Sequence, residues 1–163
     1  MSISEPGASS RRKARVLILG YGNPGRQDDG LGPAAVAEIE SMRLPNTTAF
    51  ENYQLNIEDA MDVAGHDVVW FVDAAKAGPS PYAVREVLPA ASIEFTSHLV
   101  RPEAILAIAR QCYGRSPQAF VLAIRGYEFA FIEALTPGAT DNLRDALAML
   151  TDRIRHLQLP VPL

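Results

Sequence analysis

Apolar and polar positions along this chain follow two periods. Short runs of branched and aromatic residues read as strands: Val16–Tyr21, Thr47–Tyr53, Val68–Asp73, Tyr82–Leu88 and Phe120–Arg125. Val16–Leu19 and Val68–Val72 are apolar without interruption, as parallel strands covered on both faces should be. Tyr82–Leu88 mixes apolar and charged positions and reads as an edge strand. Between these runs the spacing turns helical. Pro33 suits the first turn of a helix reaching about Met42, and Asn56 is placed to cap Ile57–Ala64 with Asp59 as its capping-box partner. Pro102 opens a third helix with Ile105, Leu106, Ile108, Ala109 and Cys112 on its inward face, and Gly114 ends it. A last helix starts near Pro137 and repeats Leu143, Leu147, Leu150 and Ile154. The alternation predicts a three-layer α/β/α sandwich around a twisted, largely parallel five-stranded sheet.

The length, 163 residues, and the 48% apolar content fit one globular domain, expected over residues 15–163. Charge is uneven. Arg11, Arg12, Lys13 and Arg15 crowd the start, whereas the remainder holds 11 basic and 18 acidic residues. Residues 1–14 therefore read as a disordered basic tail on an acidic body, and that body argues against nucleic acid as a partner. No apolar run approaches the ~20 residues of a membrane span, and the first residues lack a signal peptide's apolar stretch. The single cysteine, Cys112, suits a reducing, cytoplasmic location.

The segment between the first strand and the first helix changes the picture. Gly20, Gly22 and Gly25 spell G-x-G-x-x-G, and Glu51 stands where a ribose-binding acid would be. A pyrophosphate would need the positive end of the following helix, yet Asp28 and Asp29 occupy that end and Pro24 removes a backbone donor. Nucleotide binding is the weaker alternative. Helix capping explains one carboxylate more readily than two adjacent ones.

Asp73 ends the most apolar strand, at the carboxyl edge where open α/β sheets place their chemistry. An ionised group there is costly unless paired or metal-bound. His98, after Thr96-Ser97 and before the Pro102 helix, is better placed to reach that edge than His66 or His156. Asp29, Asp73 and His98 together offer two hard oxygen donors and one imidazole, a set that suits a borderline divalent ion such as nickel or zinc. No G-x-S-x-G is present for a serine nucleophile.

These residues resemble the hydrogenase maturation proteases. The resemblance rests on Leu19-Gly20-Tyr21-Gly22-Asn23-Pro24, Asp28-Asp29-Gly30-Leu31-Gly32-Pro33, Phe71-Val72-Asp73-Ala74 and Ser97-His98. Phe120–Gly126 with Glu128, and Leu135-Thr136-Pro137, extend it over about Arg15 to Leu150. Thr136 stands where Ser is frequent, and Phe129-Ala130-Phe131-Ile132 is more apolar than usual. The resemblance implies an endopeptidase that removes the C-terminal extension of a nickel–iron hydrogenase large-subunit precursor after nickel insertion. It maps nickel recognition onto Asp29, Asp73 and His98. The metal then belongs to the substrate, with no permanently bound cofactor and with zinc or another divalent ion as an in-vitro substitute. Asp29 or Asp73 would be the general base and His98 a ligand or proton carrier; Asp28 is expected first to cap the helix or orient Asp29, and is kept as a further candidate. A metal-free aspartic mechanism on Asp29 and Asp73 is the variant within this class. Backbone amides of Gly22–Gly25 are expected to supply the oxyanion contacts. A non-catalytic metal-checking chaperone on the same fold stays open beside the protease.

Overall fold

The structure is a computed structural model describing residues 11–93 and 100–160. The central sheet has five strands: β2 (Val16–Tyr21), β3 (Thr47–Asn52), β4 (Val68–Ala75), β5 (Tyr82–Val87) and β6 (Gln118–Arg125). Their order is β3-β2-β4-β6-β5. All pairs are parallel except β5, which lies antiparallel to β6 at the edge, as its mixed composition predicts. Helices α1 (Leu31–Met42) and α4 (Pro137–Arg155) cover one face, and α2 (Asp59–Ala64) and α3 (Pro102–Tyr113) the other.

The uninterrupted apolar runs follow from this double cover. In β2, Val16 and Ile18 join Val36, Ile39 and Leu147 in the core under α1 and α4. Leu17 and Leu19 join Val69, Phe71, Ile105 and Leu106 under α2 and α3. Alternate residues of one strand thus feed two cores, and none can be polar without cost. Among the described residues no helix is long and apolar enough to cross a membrane.

Four local expectations are corrected. Arg11–Lys13, assigned to the tail, form strand β1, which pairs antiparallel with β7 (Gln158–Pro160). Buried charge explains the order: Arg12 donates to both oxygens of Asp67, at 2.7 and 3.0 Å, and Arg15 N–H and Arg115 donate to the same carboxylate. Asn56 does not cap α2. Only the expected half of the box forms: the Asp59 carboxylate accepts the Asn56 backbone N–H at 2.8 Å, while the helix begins at Asp59 with Glu58 in the N-cap position. Cys112 is exposed, not core. The buried stripe of α3 ends at Ala109, and the last turn faces solvent before the chain reverses at Gly114.

The fourth correction concerns Asp28, expected to cap α1; neither it nor Asp29 does so. They lie in a short 3-10 turn, Gln27–Gly30, and Gly30 holds the N-cap position without a side-chain bond. The glycines let helix and strand backbones touch. A Cβ on Gly20 would run into the Gly32 carbonyl, and one on Gly22, whose φ is +141°, into the Asp29 carbonyl.

Candidate active site

Strand parity puts the first functional side chains in place. Asp73 follows Val69 and Phe71 toward the α2/α3 side, and Tyr21 follows Leu17 and Leu19 toward the same side. Because Gly20 pairs with Val72, Tyr21 and Asp73 stand side by side where the pairing of the two strands ends. The turn preceding α1 folds back over this edge and brings Asp29 to it. A cavity of about 330 Å³ results, walled by Tyr21, Asp29 and Asp73, by Tyr53 after β3, and by Arg85, Arg101 and Glu103.

The two carboxylates sit in different environments. Asp29 accepts the Asn23 backbone N–H at 2.8 Å. Among the described residues Asp73 accepts only the neighbouring Ala74 N–H, also at 2.8 Å. Burial, reinforced by the negative charge of Asp29, pushes Asp73 up to about 6 against the pull of that hydrogen bond. Asp73 therefore exchanges its proton near neutrality, as a group that gives or takes a proton in catalysis must. Burial and the Asp73 charge also push the Tyr21 phenol well above its ordinary range, so it stays an O–H donor. On the cavity wall Arg85 and Glu103 form an ion pair at 2.7 Å.

Asp29 and Asp73, read from the sequence as site residues, meet in this cavity. His98 lies outside the described residues. Among the described residues no group of three or more His, Cys, Asp or Glu side chains is arranged to hold a metal ion. The other two histidines are used locally: His66 donates to the Asp62 carbonyl and His156 to that of Asp152.

Asp28 is corrected from catalytic candidate to structural anchor. It is fully buried, and its carboxylate accepts four hydrogen bonds, from the Tyr127, Glu128 and Thr136 backbones and from the Thr136 hydroxyl. Burial raises its carboxyl, but these bonds outweigh burial and hold it below the usual range. Asp28 does not line the cavity.

The expected oxyanion amides are corrected as well. Gly22 N–H donates to the Asn52 carbonyl, Asn23 N–H to Asp29, and Gly25 N–H to the Asn23 side chain, while Pro24 has none to give. The same internal use leaves no cradle for a phosphate, which removes the physical basis of the nucleotide reading. Glu51 lines a separate recess beside Pro24, away from the two carboxylates.

Tyr21, Arg85, Arg101 and Glu103 were not singled out from the sequence. For Tyr21 a signal existed in its parity with Leu17 and Leu19. The other three come together only because β5 and the start of α3 meet at one corner.

No known-family profile and no curated protein sequence matches the chain. Solved structures do. The hydrogenase maturating endopeptidase HybD from E. coli matches with a TM-score of 0.69 at 20% identity, over 90% of this chain and 97% of that one. The [NiFe] hydrogenase maturation protease HycI from Thermococcus kodakarensis matches with a TM-score of 0.67 at 17% identity, over 88% and 94%. A hydrogenase 2 maturation peptidase from a Thaumarchaeota archaeon gives 0.62 at 19% identity, over 86% and 97%. The chain thus shares its fold, over nearly its whole length, with structures bearing the family name that its motifs resemble.

Proposed function

We propose that this chain is an endopeptidase of hydrogenase maturation, which removes the C-terminal extension of a nickel–iron hydrogenase large-subunit precursor once nickel is in place. The observation that carries this reading is the meeting of Asp29 and Asp73 in one cavity at the carboxyl edge of a sheet with the maturation-protease fold. Asp29 takes a proton from water as its oxygen bonds to the scissile carbonyl carbon. The C–N bond then breaks, and Asp73 delivers a proton to the leaving amine. Tyr21 donates to the carbonyl oxygen as charge develops there, a task the loop amides cannot perform. Nickel arrives as part of the substrate, and Asp29, Asp73 and His98 are the residues that inspect it. Held beside the scissile bond, it polarises the carbonyl.

This reading is tested by incubating the wild-type chain and its Asp73→Asn variant with the nickel-loaded precursor and weighing the products. The precursor loses a C-terminal peptide with the wild type and stays whole with the variant. Equal cleavage by both would remove Asp73 from the mechanism.

A further inference from the structure

The segment between β6 and α4 is irregular, yet it is fixed as firmly as a core element. The Asp28 carboxylate holds both of its ends, at Tyr127–Glu128 and at Thr136. Its middle is laced to the turn before α1: Gln27 N–H donates to the Ile132 carbonyl at 2.8 Å, Asp28 N–H to that of Glu128 at 3.0 Å, and Ala130 N–H to the Gln27 side chain at 3.0 Å. What this frame presents to solvent is apolar. Phe131 is 86% exposed and Ile132 54% exposed. A buried charge and a set of hydrogen bonds hold out two side chains that the fold itself does not use.

The surroundings of this prong are cationic. The Arg26 guanidinium lies 5.3 Å from the Phe131 ring centre, and the Lys76 ammonium 5.1 Å from that of Phe129. Glu128 is turned to Gln27, and Glu133 faces the separate recess beside Pro24. The prong is tied to the same elements that build the cavity. Asp28, which anchors it, precedes Asp29 in one turn, and Lys76 follows β4, which carries Asp73.

We infer that Phe131 and Ile132 form a preorganised docking prong for the folded body of the protein substrate, separate from the cavity that takes its tail. The prong enters an apolar recess on that body, and carboxylates at the recess rim meet Arg26 and Lys76. A protein whose end enters the cavity must lay its body over this same sheet edge. A rigid apolar anchor in a shallow recess is the common form of an interface hot spot, and prior ordering lowers the entropic cost of binding. The inference rests on the protease reading for the identity of the partner.

The test measures affinity for the full-length large-subunit precursor and for a free peptide of its C-terminal extension. A Phe131→Ala/Ile132→Ala chain should bind the precursor roughly tenfold more weakly than wild type and the peptide equally well. Tyr113→Ala removes a half-exposed aromatic from the far end of α3 and should leave both affinities within about twofold. Both changes lie at exposed side chains, and unchanged melting curves confirm that the fold is retained. The inference is overturned if the double variant binds the precursor as wild type does, or if it weakens precursor and peptide alike. Wild-type binding without cleavage would overturn the peptidase reading and leave the docking comparison valid. No wild-type binding to the precursor would overturn both.

Discussion

Asp28 and Thr136, 108 residues apart in sequence, are joined twice: one carboxylate oxygen accepts the Thr136 backbone N–H and the other its hydroxyl, each at 2.8 Å. Thr136 in turn caps α4 by accepting the Ala139 N–H at 3.3 Å. A single buried carboxylate therefore ties the turn that carries Asp29 to the start of the longest helix.

Removing that carboxylate takes the partner from three backbone donors and a hydroxyl and leaves a hole at a fully buried position. Asp28→Ala should destabilise the chain by about 3–5 kcal/mol, as losing one member of a buried charged network does. Thr136→Ala should cost about 1–2 kcal/mol, and Thr136→Ser far less because the hydroxyl remains. Urea unfolding measures all three. A loss under about 1 kcal/mol for Asp28→Ala would contradict the anchor role.

Two carboxylates give the stability opposite dependences on pH. The Arg12 hydrogen bonds hold Asp67 well below the usual carboxylate range despite its burial. Its contribution is complete above the unfolded value of about 3.9 and is lost as pH falls through the lowered folded value. Asp73 is raised to about 6, chiefly by burial, so the folded state favours its protonated form. That stabilisation is present below about pH 4 and is lost as pH rises through about 6. Asp73→Asn should thus melt like wild type near pH 4 and be more stable near pH 7, by about 1–3 kcal/mol. Thermal melts across this range check the divergence. A variant less stable at pH 7 would show that Asp73 is paired favourably in the fold.

Asp29→Asn separates chemistry from structure differently. The amide oxygen can still accept the Asn23 N–H, so stability should stay within about 1 kcal/mol. Cleavage should fall by a factor of about 100 or more with the loss of the base. Single-turnover rates on saturating precursor give the comparison, and an unchanged rate would move the base elsewhere.

The glycines make a paired prediction. Gly22 has a φ of +141° and no room for a Cβ beside the Asp29 carbonyl, whereas Gly114 has a φ of +69° in open space. Gly22→Ala should cost about 3 kcal/mol or more and displace Asp29, whereas Gly114→Ala should cost about 1 kcal/mol. Equal costs in denaturant unfolding would contradict the close approach of turn and strand.

If nickel comes with the substrate, a chelator applied to the protease alone, then removed, should leave cleavage intact. Activity lost on chelation and restored by added zinc would show that the metal is resident instead.

The layers, the largely parallel sheet and the place of Asp73 at its edge were legible because each follows from local spacing, whereas Asp29 was joined to Asp73 by the resemblance alone. Apolar runs mark doubly covered strands, and a carboxylate at the end of such a strand has only the sheet edge to occupy. The role of Asp28 was not legible, because its donors come from Tyr127, Glu128 and Thr136, about a hundred residues away. Strand β1 was missed for a similar reason. Three basic residues in a row resemble a solvated tail until Asp67 and a distant partner strand supply their contacts. The loop amides of Gly22–Gly25 matched an oxyanion cradle in composition, but only the folded turn reveals that their hydrogens are spent within it. Cys112 kept the helical period and failed because the sheet's cover ends before the helix does.

The most direct measurement gives the wild-type chain the same large-subunit precursor in nickel-loaded and nickel-free form and follows its mass with time. The account predicts that only the nickel-loaded precursor is shortened at its C-terminus. Cleavage of both forms at one rate would contradict the inspection of metal by Asp29, Asp73 and His98, and a precursor left whole in both would contradict the peptidase itself.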